Sequence, residues 1–240
     1  KPLSRHKLVK EEIQMKLFND QKKIVVGYFE HDSLIHKSMT QPFDRIANND
    51  FGCPSVGAIR DRMFQTYPVV SIEVQFGFYK DQPVYEYWIK GKDSEQIHNI
   101  IKDRLAIQES RSGKCVLQYT DSKILVSDHK DLEVTVLQPQ ENIEKENCSF
   151  ISGSFNIYAW LRPLNSAFIQ DDPNKISKVV FNVDLPLYSI FFNRSVDLQE
   201  IDPKPKTLSY LENTYGITHY QSNIKKIFPK ILNRRPKDLL

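Results

Sequence analysis

The second half of the chain is a series of short apolar runs separated by turn residues, and this pattern limits the possible folds most strongly. The runs are KCVLQYT, SKILVS, LEVTVLQ, SFNIYAWLR, SKVVFNV and LYSIFF. Short runs rich in β-branched and aromatic residues, at near-regular spacing, predict an antiparallel sandwich or barrel. Helical patterns return only near KTLSYLENTY and SNIKKIF. We therefore expect a mainly-β region, a β-sandwich or barrel-like domain, with C-terminal helices.

Polar segments are expected to separate these strands and to divide the chain into domains. QPQENIEKEN and NSAFIQDDPNK are predicted to be exposed loops. The stretch QESRSGKC is polar and contains glycine, which predicts a domain boundary there. A chain of 240 residues accommodates two modest domains. The expected domains are residues 1–109 and residues 110–240.

The first half of the chain alternates patterns typical of helices and strands. The expected order is a helix in LVKEEIQMKLFND, a buried strand in KKIVVGYFE, a helix starting near Pro42, a strand in CPSVGAI and a helical turn in RDRMFQT. The runs PVVSIEVQFGFY and QPVYEYWIK, joined by the turn-like KDQ, predict an antiparallel pair. In KDSEQIHNIIKDRLA, Asp93 is expected to cap a helix while Gln96 reaches back to it. This order predicts a mixed sheet with helices on both faces.

The order of elements over residues 8–106 resembles the thioredoxin fold without its first strand. The amino-acid sequence of this region is similar to the non-catalytic, b-type thioredoxin-like domains of the protein disulfide isomerase family. The resemblance is carried by Val26-Gly27-Tyr28-Phe29 at the end of a strand, by the helix face from Phe43 to Ala47, and by the strand–strand–helix ending. It implies an α/β thioredoxin-like domain in the first half of the chain, followed by the mainly-β domain.

The resemblance also implies that this domain is redox-inactive. Catalytic thioredoxin domains carry two cysteines just after the first buried strand, where a helix N-terminus stabilises the thiolate. The matching stretch, residues 30–40, contains no cysteine, and Cys53 is expected to be a small buried hydrophobe. Tyr67 and Pro68 match the place of the cis-proline of catalytic members. A trans proline that opens a strand is expected here, because few X–Pro bonds in folded proteins are cis. If the bond is cis, the resemblance implies that Tyr67 and Pro68 mark a peptide-binding surface.

The remaining sequence motifs and residue spacings do not predict a catalytic centre. The sequence has no glycine-rich phosphate loop, no C-x-x-C motif and no Cys/His spacing for zinc, so no cofactor or metal is expected. The combination of Asp61 with Glu73 is similar to the acidic pair of magnesium-dependent nucleases. Gln75 occupies the position at which these nucleases have a lysine. Because side chains along a strand alternate between its two faces, Glu73 and Gln75 are more simply explained as part of an exposed strand face.

Three surface features bear on partners and on cellular location. A basic C-terminal tail is expected to be solvated, with nucleic acid or an acidic protein as an alternative partner. Asn147 and Asn193 begin glycosylation-type triplets, and in a secretory protein Cys115 and Cys148 are candidates for a disulfide. The tail contains Lys225, Lys226, Lys230, Arg234, Arg235 and Lys237.

The function predicted from these features is a non-enzymatic, chaperone-like protein-binding or peptide-binding scaffold, part of a larger secretory-pathway protein. The alternatives are a cytosolic or nuclear scaffold that uses the basic tail, and a magnesium-dependent nuclease. The endoplasmic reticulum or a secreted location is favoured over the cytosol or nucleus. No apolar run is long enough to span a membrane, and a chain that begins with Lys1 is expected to be a processed form or a fragment.

Overall fold

The computed structural model describes residues 23–30, 44–45, 62–91, 93–121, 123–139, 143–159 and 163–209. Strands dominate these ranges. They contain one long helix, α1 (Glu95–Arg104), and a helical segment at residues 205–209. The strands are β1 (Ile24–Glu30), β2 (Asp44–Arg45), β3 (Met63–Thr66), β4 (Ile72–Tyr79), β5 (Gln82–Ile89), β6 (Leu105–Glu109), β7 (Cys115–Thr120), β8 (Lys123–Val126), β9 (Glu133–Leu137), β10 (Lys145–Glu146), β11 (Cys148–Phe150), β12 (Gly153–Asn156), β13 (Asn165–Gln170), β14 (Ser177–Phe181), β15 (Tyr188–Phe192) and β16 (Val196–Glu200).

The strands form four sheets. Sheet 1 has the order β12-β9-β15-β3-β2, sheet 2 β10-β14-β4-β5, sheet 3 β11-β13-β7-β6 and sheet 4 β16-β1-β8. Neighbouring strands are antiparallel, with the exception of β1 and β16, which are parallel. Each sheet contains strands from both sides of residue 109. The described chain is thus mainly β, and no helix within it is long and apolar enough to cross a membrane.

The prediction of an α/β thioredoxin-like domain is wrong. The strand that carries Val26-Gly27-Tyr28-Phe29 is present as β1, but its neighbours are β8 and β16 from the second half of the chain. An apolar run specifies that a strand will be buried but does not specify its partner, because β propensity largely reflects fit to a half-buried pleated surface. The thioredoxin-fold description is therefore replaced by a mainly-β architecture, which agrees with the β-sandwich expectation for the later strands.

Two predicted helical segments contain strands instead. The run RDRMFQT includes β3, which pairs with β15, and Phe64 and Thr66 on it are buried. The predicted helix face from Phe43 to Ala47 includes β2, which pairs with β3. Pairing with distant strands has overridden weak local helix patterns here. The predicted segments LVKEEIQMKLFND and CPSVGAI lie outside the described residues.

The β4–β5 hairpin and the helix that follows it are confirmed. Their turn consists of Lys80 and Asp81, both with positive φ (49° and 61°), as a two-residue hairpin turn matching the strand twist requires. Helix α1 is capped by Ser94 rather than by the predicted Asp93, since the Ser94 Oγ accepts a hydrogen bond from the Ile97 backbone N–H at 3.3 Å.

The prediction of an exposed loop over NSAFIQDDPNK is wrong for its first six residues, NSAFIQ, which form strand β13. This strand is a central strand of sheet 3, where Phe168 is fully buried. The Phe168 ring lies 5.4 Å from that of Phe150 and 5.8 Å from that of Phe181, while Tyr119 lies 5.0 Å from Phe181. Phe181 belongs to sheet 2 and the other three rings to sheet 3. These aromatic contacts therefore form the core between the two sheets.

Candidate functional site

The outer face of the β4–β5 hairpin combines exposed apolar side chains with a concave surface. On β4 the side chains of Ile72, Val74 and Phe76 are buried, so the alternate residues face outward. The register places Glu73 opposite Trp88, Gln75 opposite Glu86, Gly77 opposite Val84 and Tyr79 opposite Gln82. This alternation confirms the exposed strand face predicted for Glu73 and Gln75.

A shallow groove lies beside Gly77 on this face. Val84 lies opposite Gly77 on β5, and Ile176 lies beside it on the β14 side of β4. Tyr79, Val84 and Ile176 expose 62%, 41% and 69% of their surface. The groove has a volume of about 380 Å³ and is also lined by aromatic residues of the two strands. We call these residues and Gly77 the Gly77 groove, and its size suits one or two apolar side chains of a ligand.

A charged ladder borders the Gly77 groove on the same face. The Glu73 carboxylate lies 3.5 Å from the Lys90 ammonium and 3.4 Å from that of Lys178, which also lies 3.1 Å from Glu144. Desolvation alone would raise the pKa of Glu73, but the charges of Lys178 and Lys90 hold it below its usual value. The Glu73 carboxylate is thus engaged by two ammonium groups, which disfavours its use as a magnesium ligand in the nuclease hypothesis.

The other predicted site residues lie apart from this groove or beyond the described residues. Tyr67 and Pro68 form part of the connection between β3 and β4. Their peptide bond is trans, Pro68 is buried, and the Tyr67 hydroxyl lies 3.5 Å from the Gln65 side chain. The reason for assigning them a peptide-binding role disappears with the thioredoxin fold. Asp61, Cys53 and the basic tail residues Lys225, Lys226, Lys230, Arg234, Arg235 and Lys237 lie outside the described residues.

Both predicted glycosylation asparagines organise loops through their side chains. Asn147 has a positive φ of 51°, and its amide donates to the carbonyls of Asp172 and Lys175 at 2.9 Å each. The Asn193 amide donates to the Asp131 carbonyl at 3.0 Å, and its side-chain oxygen accepts from the Glu133 N–H. A sugar attached to either nitrogen would disturb these bonds, and glycosylation stays a prediction.

A buried ionic cluster joins sheet 1, the start of β8 in sheet 4, the end of α1 and the residue that follows β7, and the sequence pattern gave no sign of it. The Asp121 carboxylate accepts hydrogen bonds from Tyr188 at 3.0 Å, Thr66 at 3.1 Å and the Lys123 ammonium at 3.2 Å, and Arg104 lies 3.9 Å away. All five side chains are buried. Because no part of the cluster reaches solvent, its hydrogen bonds serve the fold rather than a substrate.

Cys115 and Cys148 are free, buried thiols, which overturns the disulfide candidate. Cys148 pairs with Gln170, and the register of β7 and β13 brings Cys115 opposite Gln170 from the other side. The two cysteines are therefore two strand spacings apart, roughly 9.5 Å, whereas a disulfide requires Cα atoms within about 7 Å.

The two thiols are predicted to resist alkylation in the native protein. Burial raises the pKa of Cys115 to about 11 and that of Cys148 to about 12, so very little reactive thiolate exists at pH 8. Iodoacetamide labelling followed by peptide mass mapping should leave both residues unmodified until a denaturant is added. Rapid native labelling, or a peptide linking the two residues, would contradict this arrangement.

The fold and the groove define a class: a mainly-β protein of mostly antiparallel sheets that has an exposed apolar groove on one of them. No protein-family model matches the chain, and no similar curated protein or solved structure was found. The family resemblance inferred from the sequence thus has no support beyond the residues that suggested it, and the fold contradicts it.

Proposed function

We propose that the chain is a non-enzymatic protein-binding module whose contact surface is the Gly77 groove. The observation that carries the proposal is the exposure of Tyr79, Val84 and Ile176 around a groove that passes Gly77. Exposed apolar side chains around a concavity are characteristic of surfaces that bind protein partners. The ligand is an extended segment of a partner protein that inserts an aliphatic or aromatic anchor residue beside Gly77.

The polar surroundings of the groove favour a peptide ligand over a purely apolar one. Glu86 and Gln75 line the groove together with its apolar residues, and the ladder of Glu73, Lys178 and Lys90 continues from them. A buried apolar anchor with a polar rim is the common arrangement of protein interfaces. Since the ladder carries both signs of charge, it supplies hydrogen-bonding partners to a peptide backbone without selecting strongly for ligand charge.

The partner is expected to lie on the face of the hairpin rather than to add a strand at its edge. β5 is the terminal strand of sheet 2 within the described residues. The Lys90 N–H donates to the Ser71 carbonyl at 2.8 Å. Every second residue of β5, counted back from Lys90, therefore bonds to β4, and the residues between them, including residue 83, turn their backbone groups toward the open edge. That residue is Pro83, which has no N–H to donate, and a proline on an edge strand weakens the pairing of a further strand.

Filling the groove beside Gly77 is predicted to weaken peptide binding. A Cβ at Gly77 would lie 3.5 Å from the Gln170 amide and 3.7 Å from Ile176, which are ordinary contacts, and the φ of Gly77 is not positive. Peptides selected from a random displayed library on the native protein should share an aliphatic or aromatic anchor. Their affinity, measured by fluorescence polarisation, should fall about tenfold or more in Gly77→Val and in Ile176→Asp.

The matched control is Ile151→Asp, which changes another exposed isoleucine at a position that does not line the groove. It should leave the affinity unchanged, and all three variants should unfold at similar denaturant concentrations. Selected peptides that bind Gly77→Val as tightly as the native protein would refute the proposal. So would a library that yields no binder with an apolar anchor.

A further inference from the structure

A second concave surface lies where sheets 1 and 4 end together. The cleft has a volume of about 770 Å³ and is lined by the starts of β1 and β3, the β8–β9 loop and the β15–β16 turn. Four side chains of basic residue types line it: Lys23, Arg62, His129 and Arg194. Asp128 is the one carboxylate among the lining residues. Lys23, Arg62 and Arg194 against Asp128 give the lining a net positive charge even without His129. We call this surface the cationic cleft.

The backbone around the cationic cleft is held by hydrogen bonds between the elements that meet there. The Phe192 N–H donates to the Arg62 carbonyl at 2.8 Å, and the Ile24 N–H donates to the Ser195 carbonyl at 3.2 Å. Asn193 links the turn to the β8–β9 loop through Asp131 and Glu133. The cations are therefore carried on fixed backbone, so a ligand does not have to order these loops when it binds.

Two nitrogen atoms of the cleft are buried without a hydrogen-bond partner in the described part of the chain. They are the Nε of Arg62 and the Nδ1 of His129. Leaving a buried polar nitrogen unsatisfied is costly, particularly on a charged group, and such atoms call for a specific explanation. Within the same described ranges the guanidinium groups of Arg62 and Arg194 form no ion pair, although the Asp128 carboxylate also lines the cleft.

We infer that the cationic cleft binds the phosphate group of a phosphate monoester. A guanidinium presents a planar set of N–H donors that matches the oxygens of a tetrahedral oxyanion, and such charge-assisted bonds are among the strongest polar contacts. Arg62 and Arg194 approach the cleft from different loops, and Lys23 and His129 supply further donors. The volume exceeds that of phosphate alone, which leaves room for the group that carries it.

The inference predicts saturable binding of phosphate monoesters that depends on both arginines. Isothermal titration of the native protein with inorganic phosphate, O-phosphoserine and glucose 6-phosphate should give one site each. Arg62→Gln and Arg194→Gln should each weaken binding about tenfold or more. The three probes separate the sources of the phosphate: a preference for phosphoserine indicates a phosphorylated protein segment, and a preference for the sugar ester indicates a small metabolite.

The control is Arg111→Gln, which removes the same charge from an exposed turn far from the cleft in the sheet order. It should leave binding unchanged, as should Gly77→Val, which makes failure here distinguishable from failure of the proposed protein-binding function. Potassium chloride at matched ionic strength should not compete. Equal weakening by Arg111→Gln, equal competition by chloride, or no heat with any of the three probes would overturn the inference.

Discussion

Replacing Asp121 by asparagine is expected to lower the free energy of unfolding by about 3–5 kcal/mol. The carboxylate is the common acceptor of the buried cluster, and it receives bonds from Tyr188, Thr66 and Lys123 while Arg104 lies close by. An amide leaves two buried cations without their shared counter-charge, and the cost of a buried charge is high in a medium of low dielectric constant. Denaturant unfolding at pH 7, followed by circular dichroism, measures the loss.

The control for this prediction is Asp103→Asn, which removes a carboxylate from the exposed face of α1. Its effect should stay within about 0.5 kcal/mol, as is usual for surface positions. A loss at Asp121 no larger than that at Asp103 would mean that the cluster does not hold these elements together in solution. A native-like circular dichroism spectrum of the Asp121→Asn variant at low temperature is needed for the comparison.

The same carboxylate gives the stability a defined pH dependence. Burial alone would raise the pKa of Asp121, but the charges of Lys123 and Arg104 and the hydrogen bond from Tyr188 hold it below its usual value of 3.8. A group with a depressed folded-state pKa stabilises fully above its unfolded pKa and loses that contribution as pH falls through the folded value. The difference in unfolding free energy between the native protein and Asp121→Asn should be constant from about pH 5 to 8 and shrink below about pH 4.

The elements that the sequence predicted correctly are those determined by nearby residues. The β4–β5 hairpin follows from two apolar runs and a short polar turn, and α1 follows from its isoleucine spacing, although its N-cap was placed one residue too early. The partners of β1 were missed because its pairing with β16 joins positions about 170 residues apart. Local patterns carry no information about such a contact, and the helix-like segments nearby suggested a fold that places β1 in another sheet.

The candidate sites were only partly visible in the sequence, for the same reason. Alternation showed that Glu73 and Gln75 face outward, but it could not bring Ile176 beside Gly77, which depends on the register between β4 and β14. Arg62, His129 and Arg194 meet only because the ends of β3, β8 and β15 lie on one side of the structure. The segment SAFIQ shows no regular alternation of small and large or of polar and apolar residues, and the polar residues that flank it favour a loop, so the sequence contains no local signal for β13.

Replacing Phe168 by alanine tests whether β13 is a core strand or the exposed loop predicted from the sequence. It is expected to lower the free energy of unfolding by about 3–5 kcal/mol. The side chain has no exposed surface, and its ring contacts Phe150 in its own sheet and Phe181 in sheet 2. Alanine would leave a cavity between two sheets whose spacing is fixed by several other rings, so the cavity cannot close fully. Denaturant unfolding gives the loss directly.

The neighbouring variant Ile169→Ala separates the core strand from the exposed loop predicted from the sequence. Ile169 lies on the other face of β13 and is only half-buried, so its truncation should cost clearly less than that of Phe168. An exposed loop would show small and similar losses at both positions, within about 0.5 kcal/mol. A strongly unequal pair therefore excludes a uniformly exposed loop and agrees with a strand that turns Phe168 and Ile169 to opposite faces. Equal, small effects would remove β13 from the core and with it the contact between sheets 2 and 3.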